Sequence, residues 1–340
     1  MITSLITGAA GFIGSQLAHR LAKNGERVVL VDNFSYGRKD NLIFEDMDFT
    51  DQVIVADIRD TAKMRELFEQ FDFDYVYNIA GIAPLPDCQS DPQEAIAVNV
   101  GGFANILELA RIYGVKTVIQ ASTNAMYENE TQFPTTENFQ NLPTLIYPNT
   151  KYCAERFAQS FCDTYNMNVA CMRFANVYGP HVDCLRKQPP FVAYMVRELY
   201  YDRTPIFHSD GTQRRDYVYV EDLIDLAIAV RACKGFDTIN CSSNTSYSVN
   251  EMYAIAQEIM GKNIPADYAS DAHYWENYPN LYKGAYPIKD EILTHEIKKY
   301  SLCDNTHAKE AYGWEPKVGM REGLTKLIAA EIDLLDKYQH

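Results

Sequence analysis

The chain has 340 residues, 47% of them hydrophobic, and 46 acidic against 31 basic side chains give a formal net charge of −15. That length predicts one large domain with an appended lobe, or two domains, and the acidic balance argues against a nucleic-acid or anionic-membrane surface, which needs basic patches. No uninterrupted apolar run approaches the ~18 residues of a membrane span, and eight scattered cysteines with no Cys-x-x-Cys pair and no His cluster at ligand spacing point to reduced thiols, a cytoplasmic location and no metal site.

Ile2 to Thr7 reads as a short apolar strand that runs into Gly8-Ala-Ala-Gly11-Phe12-Ile13-Gly14 rather than into a signal peptide. Ser15 to Lys23 has helical periodicity, and Arg27 to Val31 is a second strand closed by Asp32. Strand, glycine loop, helix, strand and acid in this order form the βαβ unit that holds a dinucleotide, with the pyrophosphate on the helix N-terminus. Asp32, with Asn33 beside it, lies where a carboxylate accepts both adenosine-ribose hydroxyls and repels a 2′-phosphate, so NAD is expected over NADP. Arg38 and Lys39 could serve a 2′-phosphate, but are expected to be solvated loop charges. The alternation continues with a strand at 53–56, a helix at 61–70, a strand at 75–79, a helix at 92–113, a strand at 115–121, a helix at 150–165 and a strand at 169–173. Strands alternating with helices imply a parallel sheet covered on both faces. After Pro180 the rhythm breaks: helices are expected from Pro190 to Tyr200, at 221–231, at 249–260 and at 322–335, with loops and short elements over 263–300.

Tyr147-Pro-Asn-Thr-Lys151 places a phenol and an ammonium four positions apart, on one face if Pro148 sits in the first turn of a helix. A fixed cation favours the phenolate, and a shift of ~3 units corresponds to ~4 kcal/mol. Tyr147 would then be a general base near neutrality. With 24 tyrosines in the chain the spacing alone is weak evidence, and its company decides.

That company comprises the glycine loop, Asp57-Ile-Arg-Asp60, Asn78-Ile-Ala-Gly81, Asn99, Ala121-Ser-Thr123, Arg173-Phe-Ala-Asn-Val-Tyr-Gly-Pro180 and Arg215-Asp-Tyr-Val-Tyr-Val220. In this order they resemble the extended short-chain dehydrogenases, specifically the NAD-dependent nucleotide-sugar epimerases and dehydratases, over residues 1 to about 250 and again at Cys303-Asp304 and Tyr312-Gly-Trp-Glu-Pro316. The resemblance implies an α/β fold, a Rossmann-type doubly wound parallel sheet with a smaller C-terminal α/β substrate-binding lobe. Residues 1–175 would form the NAD-binding domain with the Tyr/Lys dyad, and 176–340 mostly the nucleotide-sugar lobe, with segments such as 215–245 returning to the first domain. It further implies a homodimer through the helices at 92–113 and 150–165.

By the same resemblance, Gly8, Gly11, Phe12, Ile13, Gly14, Asp32 and Asn33 hold NAD; Asp57 and Ile58 bracket the adenine, or Asp57 is a strand-end cap; and Ala80 lines the cofactor. Asn99 orders the site or bonds a nearby carbonyl. Tyr147, Lys151 and Thr123 are catalytic, with Lys151 on the nicotinamide ribose and Thr123 on the sugar. Asn124, Asn176, Arg215 and Ser301 bind substrate, Arg215 through its phosphates, with Arg186, Lys187 and Arg214 as weaker candidates. His181 either touches substrate or is structural. Family dehydratases carry an acid pair after the Ser/Thr, whereas Asn124 and Ala125 here offer no general acid or base. That pattern resembles 4-epimerases acting on UDP-hexoses or UDP-N-acetylhexosamines. Two departures stand out: no Arg precedes Asp304 in the family's phosphate-binding segment, and an unusual stretch from His273 to Tyr300 takes its place. Ser301, small where plain-hexose epimerases are bulky, would leave room for a 2-acetamido group.

Overall fold

The computed structural model describes residues 1–186, 189–271 and 273–338. The first half alternates as the periodicity requires: β1 (Thr3–Thr7), α1 (Phe12–Lys23), β2 (Arg27–Asp32), β3 (Val53–Val55), α2 (Thr61–Gln70), β4 (Tyr75–Asn78), α3 (Leu85–Ser90), α4 (Pro92–Ile96), α5 (Phe103–Ile112), β5 (Thr117–Thr123), α6 (Ile146–Tyr165) and β6 (Val169–Phe174). The helix expected over 92–113 carries a π turn, Ala97–Gly102, between α4 and α5. Wide turns of this kind concentrate at functional sites, and this one contains Asn99. The 92–112 stretch as a whole is apolar and long enough to cross a membrane, although no uninterrupted apolar run exists, and nearly half of it is buried against the rest of the chain.

The second half holds more strand than its sequence suggested: β7 (Asn176–Tyr178), α7 (Phe191–Tyr200), β8 (Ile206–His208), β9 (Arg214–Tyr219), α8 (Val220–Ala229), β10 (Phe236–Cys241), β11 (Ser246–Ser248), α9 (Val249–Met260) and β12 (Asp267–Ala269). Four more helices line the 263–300 span and the C-terminus: α10 (His273–Glu276), α11 (Pro279–Lys283), α12 (Asp290–Lys298) and α13 (Thr306–Tyr312), before the long α14 (Met320–Lys337). Short strands of three residues carry too little periodicity to be seen in sequence.

Seven strands pair in the order β10-β6-β5-β4-β1-β2-β3, each neighbouring pair parallel. Alternate residues feed two cores, Leu5 and Val169 on one face, Ile6 and Ala170 on the other, as a sheet covered on both sides demands. β10 returns to the edge beside β6, whereas β9 joins β7 and β11 in a separate three-stranded sheet. Strand order reverses between β1 and β4, and ligands of open α/β sheets bind in the crevice beyond the strand ends at such a point.

Candidate active site

At the switch point β1 leaves the sheet through Gly8, whose φ is +68°. A Cβ there would lie 2.8 Å from the Ala80 amide nitrogen, and one on Gly14 would lie 2.0 Å from the Gly8 carbonyl oxygen, so the loop closes only without side chains. Gly11 caps α1 with no side-chain hydrogen bond, which leaves the first-turn amides of Phe12, Ile13 and Gly14 to an anion. Asp32 ends β2, and its carboxylate accepts the Ala10 amide at 2.9 Å and the Phe34 amide at 2.7 Å. Burial raises its pKa while these amides oppose the rise. Each oxygen keeps a lone pair for a ribose hydroxyl. The cradle therefore fits NAD. Arg38 is not the solvated charge expected: it pairs with Asp40 at 3.1 Å and Asp183 at 3.8 Å.

Asn33 donates to Asp57 at 2.9 Å, and Arg59 holds the same carboxylate at 2.8 Å, pulling its pKa down to about 2. Asp57 is thus both fixed and fully ionised beside the crevice. Ile58 has its side chain buried against Gly102, with its carbonyl held by Asn105. Asn99 bonds the nearby carbonyl of Ile82. Its carboxamide brackets Ile82, accepting from the amide at 2.8 Å and donating to the carbonyl at 2.9 Å, and it donates to the Thr150 hydroxyl at 3.0 Å. It thereby locks the β4 exit loop to the helix that carries Tyr147 and Lys151.

Both members of the dyad lie in the first turns of α6, as their spacing predicts. The Thr123 hydroxyl lies beside the Tyr147 phenol in the cavity wall, where it lowers the phenol's pKa, and accepts the Ala125 amide at 3.1 Å. The Lys151 ammonium is buried, donates to the Ala121 carbonyl at 3.0 Å, and would lie 3.0 Å from a Cβ on Gly81. The electrostatics correct the sequence argument. Burial pushes Tyr147 up to about 12 against the lowering by Thr123, and burial brings Lys151 down to about 8. Desolvation disfavours both charged forms, and it outweighs the attraction anticipated from the i,i+4 spacing.

A cavity of about 1000 Å³ opens from the dyad. Ile13, Thr123, Asn124, Ala125 and Tyr147 border it on one side, Asn176, Arg215 and Ser301 on another. Asn176 donates to the Asp216 carbonyl at 3.0 Å and Ser301 accepts the Asp216 amide at 3.2 Å. Arg215 borders the cavity, but its guanidinium donates to the carbonyls of Glu296 and Ile297 at 3.0 Å each and to that of Lys299, closing the C-terminus of α12. Arg214 pairs with Glu251 at 2.9 Å and is not a cavity residue. Arg186 borders the cavity over the Tyr36 ring; Lys187 lies outside the described residues. His181 packs at a tilt against Phe44 away from the cavity, and burial lowers its pKa to about 4. The 273–300 stretch covers the opening with Tyr274, Asn277, Tyr278, Glu296, Lys299 and Tyr300. Glu128 and Tyr36 also border it, and nothing periodic in the sequence marks either. No group of three His, Cys, Asp or Glu side chains placed to hold a metal occurs among the described residues.

A parallel sheet with a glycine cradle at its switch point, an acid at the end of β2 and a Thr–Tyr–Lys set beyond β5 defines a nicotinamide-dependent enzyme of the short-chain dehydrogenase class. More narrowly, the chain belongs to the NAD dependent epimerase/dehydratase family, whose model matches residues 4–241. It is 30% identical over 328 residues to the UDP-glucose 4-epimerase of Mycolicibacterium smegmatis, across 96% of this chain and 97% of that one. It is 27% identical over 335 residues to the UDP-glucuronate 4-epimerase of Thermodesulfobacterium geofontis, across 95% and 94%. The crystal structure of Thermotoga maritima UDP-glucose 4-epimerase with UDP-glucose superposes with a TM-score of 0.86 at 29% identity, over 98% of this chain and 100% of that one.

Proposed function

We propose that the protein is a nucleotide-sugar 4-epimerase acting on a UDP-hexose or UDP-N-acetylhexosamine, with residues 1–175 holding NAD and the dyad and residues 176–340 mostly supplying the substrate side. The observation that carries this reading is the cavity wall at Thr123, Asn124 and Ala125: a phenol and hydroxyl suited to C4 chemistry, followed by two positions with no acid. The next carboxylate in that segment, Glu128, already accepts the amides of Thr144 and Leu145. Dehydration or decarboxylation therefore lacks its acid–base pair at these positions.

NAD, when bound, supplies the hydride acceptor and then the donor at the sugar C4, with no net redox change. Tyr147 takes the proton of the 4-hydroxyl and later returns it to the same oxygen once the ketone has turned over to present its other face. Thr123 orients that hydroxyl beside the phenol. Lys151 would hold the nicotinamide ribose, Asn99 keeps α6 in place, and Asn176 and Arg215, with Arg186 as the weaker candidate beside them, meet the diphosphate, for which Arg215 must give up carbonyls of α12. Ser301 leaves space next to the sugar for a 2-acetamido group. Because the ketone has to turn over, the sugar end must be held loosely and the diphosphate firmly.

The relatives' names support the reaction. A panel of UDP-, GDP-, CDP- and dTDP-sugars incubated without added cofactor, with products resolved by stereochemistry, tests it. Turnover that needs added NADH or NADPH would instead identify a 4-ketoreductase. Good turnover of UDP-glucose with none of UDP-N-acetylglucosamine would remove the Ser301 argument. Tyr147→Phe should abolish turnover with NAD still bound; unchanged activity would end the assignment of the base. The exposed Ile96 and Ile112 on the 92–112 helix and Phe157 and Tyr165 on the adjoining α6 form an apolar face suited to a second copy, and we assign the homodimer to it. The acidic surface and reduced cysteines suit a cytoplasmic enzyme.

A further inference from the structure

Helix α6 begins without a cap of its own: its N-cap is Leu145, which has no side-chain hydrogen bond to offer. The amides ahead of Tyr147 are instead taken by side chains from elsewhere in the chain. Glu128 accepts from Thr144 and, at 3.0 Å, from Leu145, and Gln89 of α3 accepts from Ile146 at 3.2 Å. Glu128 ends the short turn Asn124–Tyr127 whose N-cap is Thr123. One six-residue segment therefore both lines the cavity beside Tyr147, through Thr123, and holds the start of its helix, through the Glu128 carboxylate on the amides two and three residues before Tyr147. The backbone of Glu128 also accepts from the His295 ring of α12 at 2.6 Å, which ties the cover of the cavity to the same point.

The second carboxylate oxygen of Glu128 is sealed from solvent with no partner among the described residues, in a side chain only 6% exposed. Burying a carboxylate with one oxygen unsatisfied is unfavourable, so a residue chosen for stability alone would not be an acid here. A carboxylate facing the positive end of a helix does recover part of that cost.

We propose that Glu128 is a positioning residue for catalysis, which fixes the start of α6 so that the Tyr147 phenol stays beside Thr123 in the cavity wall. This rests on the reading of Tyr147 as the base in nucleotide-sugar epimerisation. It assigns Glu128 no contact with the reacting atoms. Its effect belongs in kcat, since the cofactor cradle and the Asn176, Arg215 and Ser301 wall are built by other elements.

The test is steady-state kinetics of Glu128→Ala, Glu128→Gln and Glu128→Asp with the nucleotide sugar that the native enzyme turns over. Glu128→Ala should lower kcat about 100-fold, the scale of a 1 Å misplacement, with KM and bound NAD content little changed. Glu128→Gln keeps an acceptor oxygen at the same reach and should run about tenfold faster than the alanine variant, the scale of one recovered hydrogen bond. Glu128→Asp keeps the charge but falls a methylene short and should stay slow, so the Gln-versus-Asp comparison decides the matter even if the alanine variant does not fold. Native-like kcat in Glu128→Ala, a loss confined to KM, or an Asp variant faster than the Gln variant would each overturn the proposal. If the native protein reduces its bound NAD on adding a nucleotide sugar without completing epimerisation, the reading of the reaction fails instead. The same variants are then ranked by the rate of that reduction.

Discussion

Tyr147 and Lys151 sit four residues apart, yet they do not form an ion pair: at pH 7 the phenol is neutral, while Lys151 stays mostly an ammonium that burial makes easier to deprotonate. Burial places Tyr147 at about 12 and Lys151 at about 8, and the Thr123 hydroxyl is the group that lowers the phenol. Thr123→Val should therefore raise the pKa of Tyr147 and move the acid limb of the kcat/KM profile to higher pH, with kcat about tenfold lower. A limb that stays in place would show that Thr123 does not reach the phenol. The lysine also has a stability consequence. Its folded pKa lies below the ordinary value of 10.5, so between pH 8 and 10.5 the unfolded chain binds the extra proton and native stability rises with pH. Below pH 8 the full cost of burying the ammonium is present, on the order of 3 kcal/mol. Lys151→Met should thus be inactive but more stable than the native protein at pH 7 when free of cofactor, with the gap in melting temperature closing as pH rises above 8.

At the scale of elements, the site depends on how α6 and α12 are held. Asn99 was legible as a residue of interest, but its partner Thr150 was not, because the contact exists only once the π turn of the 92–112 helix faces α6. The helix contact of Arg215 is of the same kind. Arg-Asp-Tyr-Val-Tyr marks a phosphate-binding strand by resemblance, while the structure sets that guanidinium on the last carbonyls of α12, where a cation is favoured by the helix dipole. Arg215→Ala should speed amide hydrogen exchange through α12 about tenfold, the scale of one lost hydrogen bond, and raise KM. Added nucleotide sugar should also speed exchange in α12 of the native enzyme, if Arg215 leaves the helix for the diphosphate. Unchanged protection in both experiments would mean that α12 is held by its other contacts, the buried Leu293 and the His295–Glu128 bond.

Across the whole molecule, the sheet and the helices behind it set where each half of the chemistry can lie. β10 closes the sheet beside β6 although it comes 62 residues after β6 ends. The motif Tyr312-Gly-Trp-Glu-Pro316 proves to be a fastening rather than a binding element: the Trp314 indole donates to the Asp222 carbonyl at 2.8 Å, and the amides of Lys317 and Val318 donate to its carboxylate at 3.0 Å each. On the outside, the apolar face at Ile96, Ile112, Phe157 and Tyr165 predicts that Phe157→Glu yields a monomer in analytical ultracentrifugation while the native protein sediments as a dimer. A native monomer would remove that interface.

The sequence by itself determined what is local or periodic. The βαβ opening, the glycine loop, Asp32 and the Tyr147/Lys151 spacing are each written within a few turns or one strand, where backbone sterics and side-chain period dictate the outcome. The missing acids at 124 and 125 were equally plain. Only the tertiary structure decided what the charged groups near the cavity do. Glu128 reaches α6 across 16 residues of sequence, Arg215 reaches α12 across 81, and burial reverses the electrostatics expected of the dyad. None of these leaves a periodic trace, because a hydrogen bond between distant loops depends on where the chain returns, and a pKa on how much water the fold has left around the group.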